Sequence, residues 1–151
     1  MSEVNVPANM PEWMADHLRR YLKTDGADGH MWDSTSVGGP GPLPTLLLTT
    51  VGRRSGQTSL LPLIYGETNG KYIIVASKGG APQHPGWYHN LVAQPTVEVQ
   101  VLADRFRATA RTATGEERAT LWQQMEKIYP PYNDYQAKTD REIPVVVLER
   151  A

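Results

Sequence analysis

Glycine and proline interrupt this chain so often that long helices are ruled out over most of it: thirteen glycines and twelve prolines are spread over 151 residues. Proline lacks the amide donor that a helix interior or an inner strand requires, and glycine is the natural occupant of left-handed turns. What survives between the breaks is a series of short apolar runs, some strictly alternating, as expected of strands joined by tight turns.

Thr45–Thr50, with three consecutive leucines, reads as a buried strand, and Gly52-Arg53-Arg54-Ser55-Gly56 as the turn that follows it. Leu60–Tyr65 is the next strand; Pro62 inside it points to an edge, a bulge or a shorter run. Asn69-Gly70 is a strong hairpin signal into Tyr72–Ala76. Val97, Val99 and Val101 alternate with Glu98 and Gln100, and a turn at Ala103-Asp104 returns the chain through Phe106, Ala108 and Ala110. Ile143–Leu148 is the last strand.

Helices fall between these runs. Pro11–Lys23 carries an apolar stripe of Met10, Met14, Leu18, Tyr21 and Leu22 at helical spacing. The stripe is expected to pack on a core; Trp13 and the Arg19-Arg20 pair offer a membrane surface as the less favoured alternative. Pro85 opens a helix that stops before Pro95. Thr114 and Glu117 have the spacing of a capping box for a helix to Tyr129. Residues 24–44, rich in Gly, Asp and Pro, read as loop, and residues 1–9 as a flexible lead-in to a single domain over 10–151. Hairpin-linked strands with interspersed helices give an α+β fold with a mostly antiparallel sheet, and six short strands on this length could close into a small barrel.

A net charge of −1 gives no overall reason for a nucleic acid or anionic membrane partner, so any anion site has to be a local cluster. The absence of cysteine excludes disulfides, thiolate metal sites and cysteine nucleophiles. No stretch of 18 apolar residues is present, and the N-terminus lacks the layout of a secretory signal. A cytoplasmic location is expected, with membrane association as the alternative.

Four segments could do chemistry. Arg53, Arg54 and Ser55, on a turn with glycine-exposed amides, form either an anion cradle or a solvated hairpin tip. Ser77-Lys78-Gly79-Gly80 ends a strand with a hydroxyl, an ammonium and bare backbone, which admits a phosphate or a flat ring; it has neither Walker nor penicillin-recognising spacing. His84-Pro85-Gly86-Trp87-Tyr88-His89-Asn90 begins a helix beside that loop. Trp87 there is either core filling or a wall for a heterocycle, and two histidines five apart make poor metal ligands. Tyr129, Tyr132 and Tyr135, behind a proline break, are either aromatic packing or a set of phenols able to wall a flat ligand and donate a proton. No metal site is expected.

Taken together these segments resemble the deazaflavin (F420)-dependent nitroreductase family, within the split β-barrel flavin and deazaflavin oxidoreductases. The matching stretches are Leu-Leu-Thr-Thr-Val-Gly-Arg-Arg-Ser-Gly (47–56), Ala-Ser-Lys-Gly-Gly-Ala-Pro (76–82), Pro-Gly-Trp-Tyr-His-Asn-Leu (85–91), Ala-Thr-Gly-Glu-Glu-Arg (113–118), Tyr-Pro-Pro-Tyr-Asn-Asp-Tyr-Gln (129–136) and Thr-Asp-Arg-Glu-Ile-Pro-Val-Val (139–146). They run in order from about residue 44 to the C-terminus; the first forty residues are unmatched.

The resemblance implies a split barrel of about six mostly antiparallel strands with flanking helices. It implies coenzyme F420 held through its anionic tail by Arg53, Arg54, Ser55 and Lys78, and along its ring and ribityl chain by Ser77, Gly79, Gly80, Trp87 and Asn90. It implies an acceptor pocket shaped by Tyr129, Tyr132, Tyr135 and Ile64, with Tyr132 or Ser77 as the proton donor. The acceptor would be a small electron-poor molecule: a quinone, nitro compound or enone. Ile64 stands where the family's nitroimidazole-reducing member has tyrosine, which counts against bulky bicyclic nitroimidazoles. The alternatives are an FMN-binding oxidoreductase on the same barrel and a non-catalytic deazaflavin carrier. Either a monomer or a homodimer is expected.

Overall fold

The computed structural model describes residues 10–151, so the lead-in expected over residues 1–9 lies outside the described residues. Its elements in chain order are α1 (Glu12–Thr24), β1 (Met31–Asp33), β2 (Pro42–Val51), β3 (Thr58–Ile64), β4 (Gly66–Thr68), β5 (Lys71–Val75), α2 (Gly86–Ala93), β6 (Thr96–Val101), β7 (Asp104–Thr112), α3 (Gly115–Ile128), α4 (Pro131–Ala137) and β8 (Val145–Arg150). All strand pairs are antiparallel. The sheet runs β1-β2-β6-β7-β8-β5-β4, and β3 pairs with β2 off that path. This is the expected α+β split barrel, with eight strands among the described residues rather than six.

The two extra strands are short, and each corrects an expectation. The stretch expected to be loop over residues 24–44 contains β1, which pairs Met31 with Pro44 and Asp33 with Pro42. Partner strand rather than local composition makes these residues extended, because neither segment has an alternating pattern of its own. The Asn69-Gly70 hairpin joins β4 to β5, with Asn69 and Gly70 both left-handed. The longer β3 pairs instead with β2, over seven residue pairs from Thr45↔Ile64 to Val51↔Thr58. β3 has no second strand partner, so Pro62 removes no donor from an inner ladder, as its edge signal suggested.

The capping box is not formed. Thr114 occupies the N-cap of α3 without a side-chain cap bond, while Glu117 accepts Arg111 through both carboxylate oxygens at 2.5 and 2.9 Å. A bidentate charge-assisted pair outcompetes a neutral cap for the same carboxylate. The β6–β7 turn also falls one residue earlier than expected. Leu102 takes φ 55° there, and its amide donates to the Tyr21 hydroxyl at 2.8 Å, a partner from α1 that no local pattern reveals.

Side-chain parity assigns each strand's two faces. Leu46 and Leu48 of β2, Ile74 of β5 and Val146 and Leu148 of β8 fill the barrel interior with Val97, Val99 and Ala108. Ile73 and Val75 of β5, and Val145 and Val147 of β8, point the opposite way, under Leu121 and Met125 of α3 and Tyr129 and Tyr132 around α4. Leu47 turns outward onto Leu18 and Tyr21 of α1. The α1 stripe is thus spent on the barrel, and Arg19 and Arg20 pair with Glu12, Asp16 and Asp28. None of the helices among the described residues is long and apolar enough to cross a membrane.

Candidate active site

The end of β5 is where the backbone departs most from ordinary conformations. Ser77 is right-handed helical (φ −79°, ψ −38°), and Lys78, Gly79 and Gly80 follow with φ of 46°, 63° and 82°. A right-handed residue followed by a left-handed one aims successive amides into one concavity, the nest geometry that receives anions. Lys78 is the informative member, because a non-glycine residue with positive φ persists only where its surroundings impose it. A Cβ on Gly79 would meet nothing within 4 Å, so its backbone lies open to a ligand. A Cβ on Gly80 would come within 2.6 Å of the Tyr135 carbonyl oxygen. Gly80 therefore belongs to the packing of this loop on α4, and is buried.

That loop forms one wall of a cleft of about 500 Å³. Ser77, Lys78 and Gly79 line it, with Pro85 and Trp87 at the start of α2, Ile64 and its neighbours of β3, and Tyr129, Tyr132 and Tyr135. Ile64 also packs against the hydrophobic cluster that includes Tyr129 and Tyr132. Tyr129 and Tyr132 meet edge to face with centroids 4.8 Å apart, and the hydroxyls of Tyr129 and Tyr135 bond each other at 2.8 Å. Tyr132 takes no part in that bond and is 5% exposed. Burial first, and the neighbouring phenols second, hold its pKa well above the ordinary tyrosine value, so it keeps its proton throughout the neutral range. A phenol in this state stays neutral and can donate a hydrogen bond to a developing oxyanion, although its raised pKa makes it a weaker acid than an ordinary tyrosine.

The remaining expected site residues lie beyond the cleft lining. Asn90 is buried in α2; its Oδ1 accepts the Arg53 amide at 3.2 Å and the Arg53 guanidinium at 3.0 Å, and its Nδ2 donates to Thr50. Arg53 also reaches the Gly86 carbonyl at 3.4 Å. These bonds fasten the β2–β3 turn to the start of α2, next to Trp87. Ser55 accepts the Gln57 amide at 3.1 Å within the same turn, and Arg54 is exposed at its tip. Among the described residues Arg53, Arg54 and Lys78 enter no ion pair. One carboxylate, Glu67, occurs between Asp33 and Glu98. The basic side chains around the loop and turn are thus left without local compensation. No group of three or more metal-ligating side chains is found among the described residues.

Sequence reasoning missed part of the lining. Trp13, Met14 and His17 of α1, Trp32 of β1 and Val37 also line the cleft. Trp13 and Trp32 stack with centroids 5.8 Å apart and planes at 19°, although Trp13 remains 53% exposed. The available signal was Trp13 itself, a large aromatic off the helix's apolar stripe. His17 was less legible: it is buried and donates from Nε2 to the Gly29 carbonyl at 2.7 Å, and burial lowers its pKa.

The chain matches the family described as F420H(2)-dependent quinone reductase over residues 13–150. It is 44% identical over 137 residues to a Mycobacterium tuberculosis (strain ATCC 25618 / H37Rv) protein named F420H(2)-dependent quinone reductase, covering 89% of this chain and 87% of that one. A solved structure of an F420-H2 dependent reductase is 50% identical, covering 70% of this chain and 94% of that one, with a TM-score of 0.66. Another, described as a domain-swapped dimer, is 44% identical, covering 91% and 98%, with a TM-score of 0.68. A heme storage protein from Vibrio cholerae, at 15% identity over 71% of this chain and 81% of its own, shares the fold with a TM-score of 0.55.

Proposed function

Because this chain belongs to the F420H(2)-dependent quinone reductase family, we propose that its cleft is where reduced coenzyme F420 meets an electron-poor acceptor, a quinone first among them. The protein is an oxidoreductase and F420 is its cofactor, which sets aside the FMN enzyme and the non-catalytic carrier. Residues 10–151 act as one coenzyme-binding domain.

The residues present fit the coenzyme. A flat ring on a multiply anionic tail suits an open glycine at Gly79, the αR–αL nest at Ser77-Lys78, and the basic side chains of Lys78, Arg53 and Arg54. In this reading Ser77, Lys78, Gly79 and Trp87 touch the coenzyme directly. Arg53, Arg54 and Ser55 receive its tail at the β2–β3 turn, while Asn90 and Gly80 hold those segments in place. The bound reduced coenzyme supplies a hydride, a two-electron donor chemistry that belongs to it and not to the chain.

What remains for the protein is to orient the acceptor, exclude water and deliver a proton. Ile64, Tyr129 and Tyr135 give the acceptor an apolar and aromatic bed. The proton comes from Tyr132 or Ser77, cleft hydroxyls outside the Tyr129–Tyr135 bond; the Thr45 hydroxyl is already engaged with the Gly29 and His30 carbonyls. Ile64 offers no phenol to a nitroimidazole, so small quinones are the better acceptors.

The observation that carries this reading is the convergence of three separated segments, 77–79, 85–87 and 129–135, on one cavity. A fluorescence titration with F420 beside FMN at the same salt tests it, followed by anaerobic oxidation of reduced F420 by a panel of quinones. Micromolar or tighter binding of F420 alone, with turnover on quinones, is the expected result. FMN binding alone, or no turnover on any acceptor, would defeat it.

A further inference from the structure

Arg141 lies between α4 and β8. Its guanidinium is half-buried and enters no ion pair among the described residues. Its donors go instead to the Ala81 carbonyl at 2.7 Å, the Ser77 carbonyl at 2.7 Å, the Ala76 carbonyl at 3.3 Å and His84 Nδ1 at 2.9 Å. The three carbonyls bracket the left-handed run of Lys78, Gly79 and Gly80, which ordinary backbone preferences would not hold in place. Arg141 is itself anchored to α4: Gln136 donates to its carbonyl at 2.8 Å and accepts the Ile143 amide at 2.9 Å. The loop, the tyrosine-bearing helix and Arg141 are therefore one mechanical unit.

The fourth bond carries a condition. A guanidinium only donates, so His84 Nδ1 can receive it only when the imidazole is neutral, with its proton on Nε2. The groups facing His84 are Arg141, His89 with ring centroids 5.6 Å away, and Tyr88 at 4.9 Å. Burial first, then Arg141 and His89, lower its pKa. Protonation would set a donor against a donor and a cation against a cation.

We propose that Arg141 is the positioning residue for the Ser77–Gly80 loop and that neutral His84 completes its hold, so that the loop loses its fit to the coenzyme when His84 takes up a proton. This rests on the reading of that loop as a coenzyme contact. Arg141 does not itself touch the reacting atoms, since its hydrogen bonds go to backbone carbonyls and His84.

The test uses the full chain and two kinds of readout. In the ligand-free protein, NMR follows the His84 ring resonance and the Ser77–Gly80 amides from about pH 8 to about pH 5. The amides are expected to shift with the titration of His84 in wild type and to stay put in His84→Asn, whose Oδ1 can accept but cannot be protonated. F420 affinity by fluorescence is then measured over the same range. His84→Ala and Arg141→Lys are expected to weaken binding several-fold, with His84→Asn recovering most of the loss and removing the acid-side decline. Comparing wild type with His84→Asn cancels the coenzyme's own titration. Arg141→Lys keeps the charge but not the fork, and serves if Arg141→Ala fails to fold. Loop amides indifferent to His84 titration, or an Arg141→Lys variant with wild-type affinity, would overturn the proposal. If the amides respond as expected while Ser77→Ala and Lys78→Ala bind F420 like wild type, the coenzyme reading of the loop fails, and with it this role for Arg141.

Discussion

A phenol with its proton locked on by burial and a hydroxyl on a strained loop are different kinds of proton donor, and single substitutions separate them. Tyr132→Phe keeps the ring packed against Tyr129 and Trp122 while removing the hydroxyl. If Tyr132 is the donor, turnover falls by roughly 10²–10⁴-fold with coenzyme affinity near wild type. Steady-state kinetics beside a binding titration checks this; equal losses in both would make the residue structural. Gly80 makes a sharper packing prediction. Gly80→Ala drives a Cβ to 2.6 Å from the Tyr135 carbonyl oxygen at φ 82°, so a loss of about 1–3 kcal/mol is expected, read from denaturant unfolding. Coenzyme affinity should fall with it, because the loop must move to relieve the clash. His17 sets a pH trend. Burial depresses its pKa below the ordinary 6.5, so on acidification the unfolded chain takes up this proton first. Its contribution to stability is full above about 6.5 and declines as pH falls through the folded-state value. His17→Asn should flatten that part of the stability profile in a series of urea melts.

Elements are held to one another here by a few polar fastenings, and one of them runs through a residue that the sequence offers as a coenzyme contact. The Asn90 side chain joins α2 to the β2–β3 turn through Arg53 and Thr50. Asn90→Ala leaves the Arg53 amide and the Thr50 hydroxyl without their partner, at a cost of about 1–3 kcal/mol. The same variant should weaken F420 binding by loosening the turn that carries Arg53 and Arg54. Denaturation and fluorescence titration on one sample measure both, and lost affinity at unchanged stability would restore Asn90 to direct contact. At this scale the sequence was legible wherever an element follows its own pattern. The alternating valines of β6, the apolar stripe of α1 and the edge signal of Pro62 all read correctly. It failed where a partner decides: β1 is a strand only because β2 lies beside it, and Glu117 left its cap because Arg111 of β7 faces it.

The whole molecule carries almost no net charge yet nearly lacks carboxylates over one long stretch. Between Asp33 and Glu98 lie Arg53, Arg54, Lys71 and Lys78 against Glu67 alone. An anionic tail bound there is held largely by screened electrostatics, so F420 affinity should fall steadily with added salt. The Arg54→Ala, Lys78→Ala double variant should bind more weakly and with a shallower salt dependence. A salt series of titrations on both proteins tests this, and identical slopes would remove the proposed tail site.

The amino-acid sequence by itself determined the strand-rich α+β class, the absence of cysteine chemistry, and the segments of Ser77–Gly79, Trp87 and Tyr129–Tyr135 that come together on one cleft. These follow from properties each segment carries locally: alternation, glycine and proline placement, and side-chain chemistry. Tertiary structure alone decided that Trp13, His17 and Trp32 complete the cleft, that Gly80 is a packing glycine, and that Arg141 braces the loop. Each of these depends on a partner dozens of residues away in the chain, or on a backbone conformation imposed from outside. No window of sequence contains both halves of such a contact.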